Sequence, residues 1–153
     1  MLQSSVRRGA SIALCLLLLL PPALLASGSR PLGTLRSDGT VYVGSAPVRV
    51  ETAVFSGDKV STADGRATLS LARGSRLMID RGSNAGLWSS NEGVTIGLER
   101  GRLAFTADPK ASLRVDADGL MLAPSGSFPS LAEIAMTADG SLTGELYIDS
   151  GLN

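Results

Sequence analysis

"GDKVSTADGRATLSLARGSRLMID", residues 57–80, consists of short runs in which apolar and polar residues alternate, separated by glycine. Lys59 to Thr62 runs into Ala63-Asp64-Gly65. Ala67, Leu69 and Leu71 then alternate with Arg66, Thr68 and Ser70, and Leu77 and Ile79 follow Arg73-Gly74-Ser75, with Met78 out of step. A period of two sends successive side chains to opposite faces of a strand. Ala67, Leu69, Leu71, Leu77 and Ile79 therefore predict one buried row with a wet face behind it. The glycines read as turn residues that supply positive φ, with Asp64 and Ser75 at turn ends.

The pattern continues on both sides. Val41-Tyr42-Val43 and Ala46 to Val50 flank a Gly44-Ser45 turn. Val94, Ile96 and Leu98 alternate up to an expected turn at Arg100-Gly101, and Leu103 and Phe105 continue in step. Leu113 and Val115 precede Asp118-Gly119, and Leu131 to Thr137 and Leu142 to Ile148 read as the last strands, joined at Asp139-Gly140. Glycines 57, 65, 74, 82, 93 and 101 lie 8, 9, 8, 11 and 8 residues apart. Turns at this spacing predict an all-β single domain of short strands, either a β-roll or short β-solenoid or a sandwich-like form. Ser130 to Ala138 has the best helical spacing, yet a strand is the expectation there too.

The chain has 153 residues, enough for one ordinary domain and a targeting segment. Arg7-Arg8, the apolar run Ile12 to Leu20, the Pro21-Pro22 break and the small residues of Ala23 to Ser29 have the layout of a secretory signal peptide. The apolar run is well short of the ~20 residues a membrane span needs. The expected division is a signal peptide at 1–28 and an all-β domain at 29–153, periplasmic or secreted, with no membrane span in the mature chain. Loss of Arg7 and Arg8 turns 14 basic and 14 acidic residues into 12 and 14, a net charge near −2. No basic excess remains to neutralise phosphates, so no nucleic-acid partner is expected.

Cys15, the single cysteine, leaves with the leader, and the chain contains no histidine. Ser-His and Cys-His nucleophiles and most zinc or copper sites are excluded on composition. Asp116 and Asp118 could face the same way on a strand, as a pair of glycosidase carboxylates must. Beside Gly119 they read instead as a solvated turn. The ligand spacing of a calcium loop is absent, and no GxGxxG opens a helix. Catalytic, metal and cofactor sites are therefore all expected to be none.

Trp88 is the single tryptophan. Lone tryptophans are mostly buried, so the core is its expected place, and an exposed platform for a sugar or a partner is the alternative. Phe105 is expected in the core. Arg66, Arg73, Arg76, Arg81, Arg100, Arg102 and Arg114, interspersed with acids, read as a solvated face and as protection of strand edges.

Gly57-Asp58, Val60, Thr62, Gly65, the Ala67-Leu69-Leu71 alternation, Gly74-Ser75, Leu77 and Ile79 together resemble the core of the FecR-type extracytoplasmic domain. Leu98, Gly101-Arg102-Leu103 and Phe105 resemble its following segment, and the likeness runs over roughly residues 35–148. The resemblance implies a β-roll or short solenoid outside the cytoplasm. In the best-known members that domain follows an anti-sigma region and a membrane span. Here only the leader-like segment precedes it, so no cytoplasmic anti-sigma region is expected, and Leu120 to Pro129 departs from the family's pattern. The function expected is that of a non-enzymatic scaffold that binds a protein or a cell-envelope polymer. The sensor half of an envelope signalling system and a carbohydrate-binding module are the alternatives.

Overall fold

A computed structural model describes residues 29–108, 110–124, 130–137 and 139–148. The expected signal peptide at 1–28 and Phe128 lie outside the described residues. The strands in chain order are β1 (Gly33–Asp38), β2 (Val41–Val43), β3 (Ala46–Pro47), β4 (Glu51–Val54), β5 (Lys59–Thr62) and β6 (Arg66–Leu71). They continue as β7 (Arg76–Ile79), β8 (Asn84–Ser90), β9 (Gly93–Ala107), β10 (Leu113–Ala117), β11 (Leu120–Leu122), β12 (Ser130–Met136) and β13 (Leu142–Ile148). The expected all-β domain is what forms. One 3-10 turn, Ala72–Gly74, is the only helical element among the described residues.

All thirteen strands belong to one curled sheet. Its first wing runs β4-β1-β6-β7-β9-β12-β13, and its second runs β3-β2-β5-β8-β9-β10-β11. The long strand β9 belongs to both. Its first half pairs with β8 and β10, and its second half with β7 and β12. All pairs are antiparallel except β9 with β10. The all-β domain takes the form of one curled sheet with two wings.

The opening stretch shows how the curl is made. Lys59–Thr62 and Arg66–Leu71 look like the two arms of a hairpin, but they do not pair with each other. β5 pairs with β2 and β8, whereas β6 pairs with β1 and β7. The chain crosses from one wing to the other at Ala63-Asp64-Gly65, as it does at Gly39 and at Arg81–Ser83. Gly101, expected in a turn, lies inside β9 with φ +95, where the strand bends from the second wing into the first. A register shift beside it sets Asn84 opposite Arg100 and Ala85 opposite Leu98, leaving Glu99 as an extra residue. Bulges of this kind increase local twist and bend a strand.

The inner faces form a single core. Across the first wing, Leu35, Leu69, Leu77, Phe105 and Ala132 lie side by side in register, next to a row of Ala67, Ile79, Leu103 and Ile134. In the second wing, Val60, Ala85 and Leu98 make one row, and Leu87, Ile96 and Val115 another. All are buried in one cluster. Each full-sized aliphatic side chain so buried contributes about 1.5–3 kcal/mol relative to exposure. The row predicted from residues 57–80 is buried throughout. Met78 points outward and is exposed, so the alternation in β7 is strict after all.

Candidate functional site

The crossings lie along a seam between the wings, held by buried polar groups. Thr62 Oγ1 donates to Asp80 O at 2.5 Å and accepts from the Ser83 N–H at 2.9 Å. Ser83 Oγ accepts from the Arg102 N–H at 2.9 Å, which ties the crossing at Arg81–Ser83 to the bend in β9. Thr62 and Ser83 are both buried, and satisfied groups of this kind fix a single arrangement of chain crossings. The seam also explains Gly65. It is not in the left-handed region. A Cβ there would lie 2.5 Å from Asp38 O and 2.6 Å from Gly39 C, so glycine is needed for close backbone approach, not for a positive φ.

Gly57-Asp58 has its own local reason. Asp58 Oδ2 accepts from the Phe55 N–H at 2.7 Å, which closes the turn, and Gly57 takes φ +96. The Gly57 N–H donates to Leu87 O at 2.8 Å, extending the pairing of β5 with β8. Ser56 and Lys59 have the spacing of a Ser-Lys dyad, which the reading of alternation passes over. They lie on a turn and a strand, not on a helix where three residues bring side chains together. Ser56 Oγ accepts from the Ser89 N–H at 2.9 Å, and Lys59 Nζ pairs with Glu99 at 2.7 Å. The two side chains are committed to different partners.

Asp116 and Asp118 belong to a tight turn. Asp118 and Gly119, with φ 52 and 81, join β10 to β11 as a two-residue hairpin of the mirror-image kind. Asp116 Oδ1 accepts from the Gly119 N–H at 3.0 Å. No group of three or more metal-ligating side chains occurs among the described residues.

Three of the seven arginines named above form ion pairs across strands while remaining on an exposed face. Arg66 pairs with Asp80 at 2.8 Å, Arg102 with Glu133 at 3.2 Å, and Arg114 with Glu92. The hydrogen bond from Arg66, aided by the Arg81 N–H, holds the Asp80 carboxyl below its ordinary value. Arg114 does the same for Glu92. With Met78 and Ala104, the first two pairs line a shallow depression of about 160 Å³ on the outer face of the first wing.

Trp88 is not in the core. It is 43% exposed on the outer face of the second wing. Ala85 and Leu87 take the inward positions of β8, and that parity is the sequence signal that puts Trp88 outside. Its ring covers a cross-strand glycine pair, Gly86 opposite Gly97. A Cβ on Gly86 would meet Cη2 at 2.3 Å, Cζ2 at 2.7 Å and Cζ3 at 2.9 Å. The nearest atom is Cη2, flanked by its two ring neighbours, so the end of the six-membered ring lies over Gly86, while the distances of 2.6, 3.0 and 3.8 Å from a Cβ on Gly97 to Cζ3, Cη2 and Cε3 set the rim of the ring beside that residue.

No helix of the described residues is long and apolar enough to cross a membrane. No protein-family model, curated protein or solved structure matches the chain.

Proposed function

We propose that the chain is an exported, non-catalytic FecR-type interaction domain that recruits an extended segment of a cell-envelope partner protein along its sheet edge. The supporting observation is β13. It has seven residues, pairs with β12 along its whole length, and has no strand on its other side among the described residues. Edge strands are usually blunted by proline, lysine or shortness. "LTGELYI" has none of these, with Glu145 its one charge. An added strand gains affinity from backbone pairing and selectivity from alternate side chains.

The register names a residue that tests this. The Thr137 N–H donates to Ser141 O at 3.0 Å at the start of the hairpin. Bonded and non-bonded pairs alternate from there, so Gly144, opposite Ile134, turns its own N–H and C=O to the open side. Its would-be Cβ meets nothing nearer than Glu133 O at 3.5 Å. Gly144→Pro therefore removes an outward donor and leaves the internal ladder intact. Affinity purification from the native host is expected to recover a defined envelope protein with the wild type and to lose it with Gly144→Pro. Equal recovery by both, or recovery of none, refutes the edge reading. Fractionation is expected to find a processed protein in the envelope.

A further inference from the structure

We propose that the solvent-facing side of Trp88 is a binding platform for one pyranose ring of a neutral oligosaccharide. This site is on the opposite wing from the β13 edge and is independent of it. The platform is made by two glycines. Because Gly86 and Gly97 carry no side chain, the end of the indole rests over Gly86 and against Gly97, and Trp88 stays 43% exposed as an apolar surface on the outer side of the sheet. Any Cβ at either position would meet the ring within 3.0 Å and lift it.

The residues around the platform select the ligand. Lys59 stands opposite Gly86, and its ion pair with Glu99 passes beside the glycine pair. Asp116 is the neighbour of Gly97 on β10, and Arg114, one position along that face, is paired with Glu92. Two of the three carboxylates here are matched by a cation, and both cations by a carboxylate. A polyanion or a polycation gains little from such a rim. A quaternary ammonium group also favours aromatic faces, so choline is the competing ligand that the titration must separate from the sugar. A neutral polyol is matched on both counts: its C–H face packs on the ring, and its hydroxyls bond to the carboxylates and cations at the edge. A polyproline segment docks in a groove lined by several aromatics. Trp88 is the only tryptophan of the chain and lies on an open strand face.

Because that tryptophan is unique, its fluorescence reports on this site alone. Titration of the purified protein with chitotetraose and cellotetraose is expected to change the emission saturably with at least one of them, with calorimetry giving the same affinity. Trp88→Ala is expected to lower the affinity at least tenfold, as is Gly86→Ala, which keeps the tryptophan but displaces its ring. Oxidation of the indole with N-bromosuccinimide on the folded wild type is expected to abolish binding, so a variant that fails to fold does not decide the matter. The proposal is overturned if neither sugar gives a saturable signal, or if binding survives the oxidation. It is equally overturned if only a proline-rich peptide or choline binds. Gly144→Pro is expected to leave sugar binding unchanged, which separates this site from the edge.

Discussion

Thr62 and Ser83 are joined across the seam by two reciprocal hydrogen bonds. The Ser83 N–H donates to Thr62 Oγ1, and the Thr62 N–H donates to Ser83 O, each at 2.9 Å. The pair holds the crossings at Ala63-Asp64-Gly65 and at Arg81–Ser83 together and, through Ser83 Oγ and Arg102, fixes the bend of β9. Thr62→Val keeps the shape of the side chain but leaves the buried Ser83 N–H without its acceptor. A buried group orphaned in this way costs about 1–3 kcal/mol. The expected result in urea unfolding is a lower midpoint by that free energy, whereas Ser61→Ala, on the outer side of the same strand, changes little.

Gly65 and Gly57 separate two uses of glycine. A methyl group at Gly65 enters backbone at 2.5–2.6 Å, so Gly65→Ala forces two crossings apart. At Gly57 nothing lies within 4 Å, and only φ +96 resists the substitution. Placing a non-glycine residue in the left-handed region costs about 1–2 kcal/mol. Gly65→Ala is therefore expected to destabilise the protein by clearly more than Gly57→Ala in the same thermal-unfolding experiment. Equal losses refute the close-approach account.

The sequence made the faces legible but not the partners. Alternation assigned Ala67, Leu69, Leu71, Leu77 and Ile79 to the core correctly, because burial of every second residue is a local property. It could not show that β5 and β6 belong to different wings, because a glycine that turns a hairpin and one that permits a crossing look alike in one dimension. Arg100-Gly101 misleads for the same reason: a positive φ inside a long strand bends it without ending it. Trp88 was misplaced by residue type, although its parity with Ala85 and Leu87 was there to be read. The seam pairing of Thr62 with Ser83 had no signal, since it joins residues 21 apart.

Acid is expected to weaken the fold through Asp80. Its carboxyl is held below the ordinary aspartate value of 3.8, first by the hydrogen bond from Arg66. A carboxyl depressed in the folded state contributes stability above its unfolded value and loses it as pH falls through the folded one. The melting temperature should therefore be steady at and above about pH 5, where carboxylates are ionised in both states, and fall as pH drops below 3.8. Arg66 is half-exposed, which limits the size of the effect. Asp80→Asn is expected to flatten this acid limb, and an unchanged limb in that variant contradicts the assignment.

Ser75 carries the last prediction. It is 2% exposed, and its Oγ is the one buried side-chain polar atom among the described residues without a hydrogen-bond partner. Together with Leu71, Gly93, Val94 and Leu113 it lines a depression of about 100 Å³ beside the 3-10 turn. The Ser75 backbone carbonyl, in contrast, accepts from the Leu71 N–H at 2.9 Å and closes that turn. The geometry of Gly74-Ser75 thus depends on the main chain, and the hydroxyl adds nothing to it. An unpartnered buried hydroxyl is unfavourable by about 1–3 kcal/mol, so Ser75→Ala is expected to leave stability unchanged or to raise it by up to about that amount. Leu77→Ala, two residues on and fully buried, provides the contrast, with an expected loss of about 2–5 kcal/mol. Parallel urea titrations of the two variants check both signs. A loss of more than about 1 kcal/mol for Ser75→Ala shows that the hydroxyl is engaged after all, since a net hydrogen bond contributes about that much.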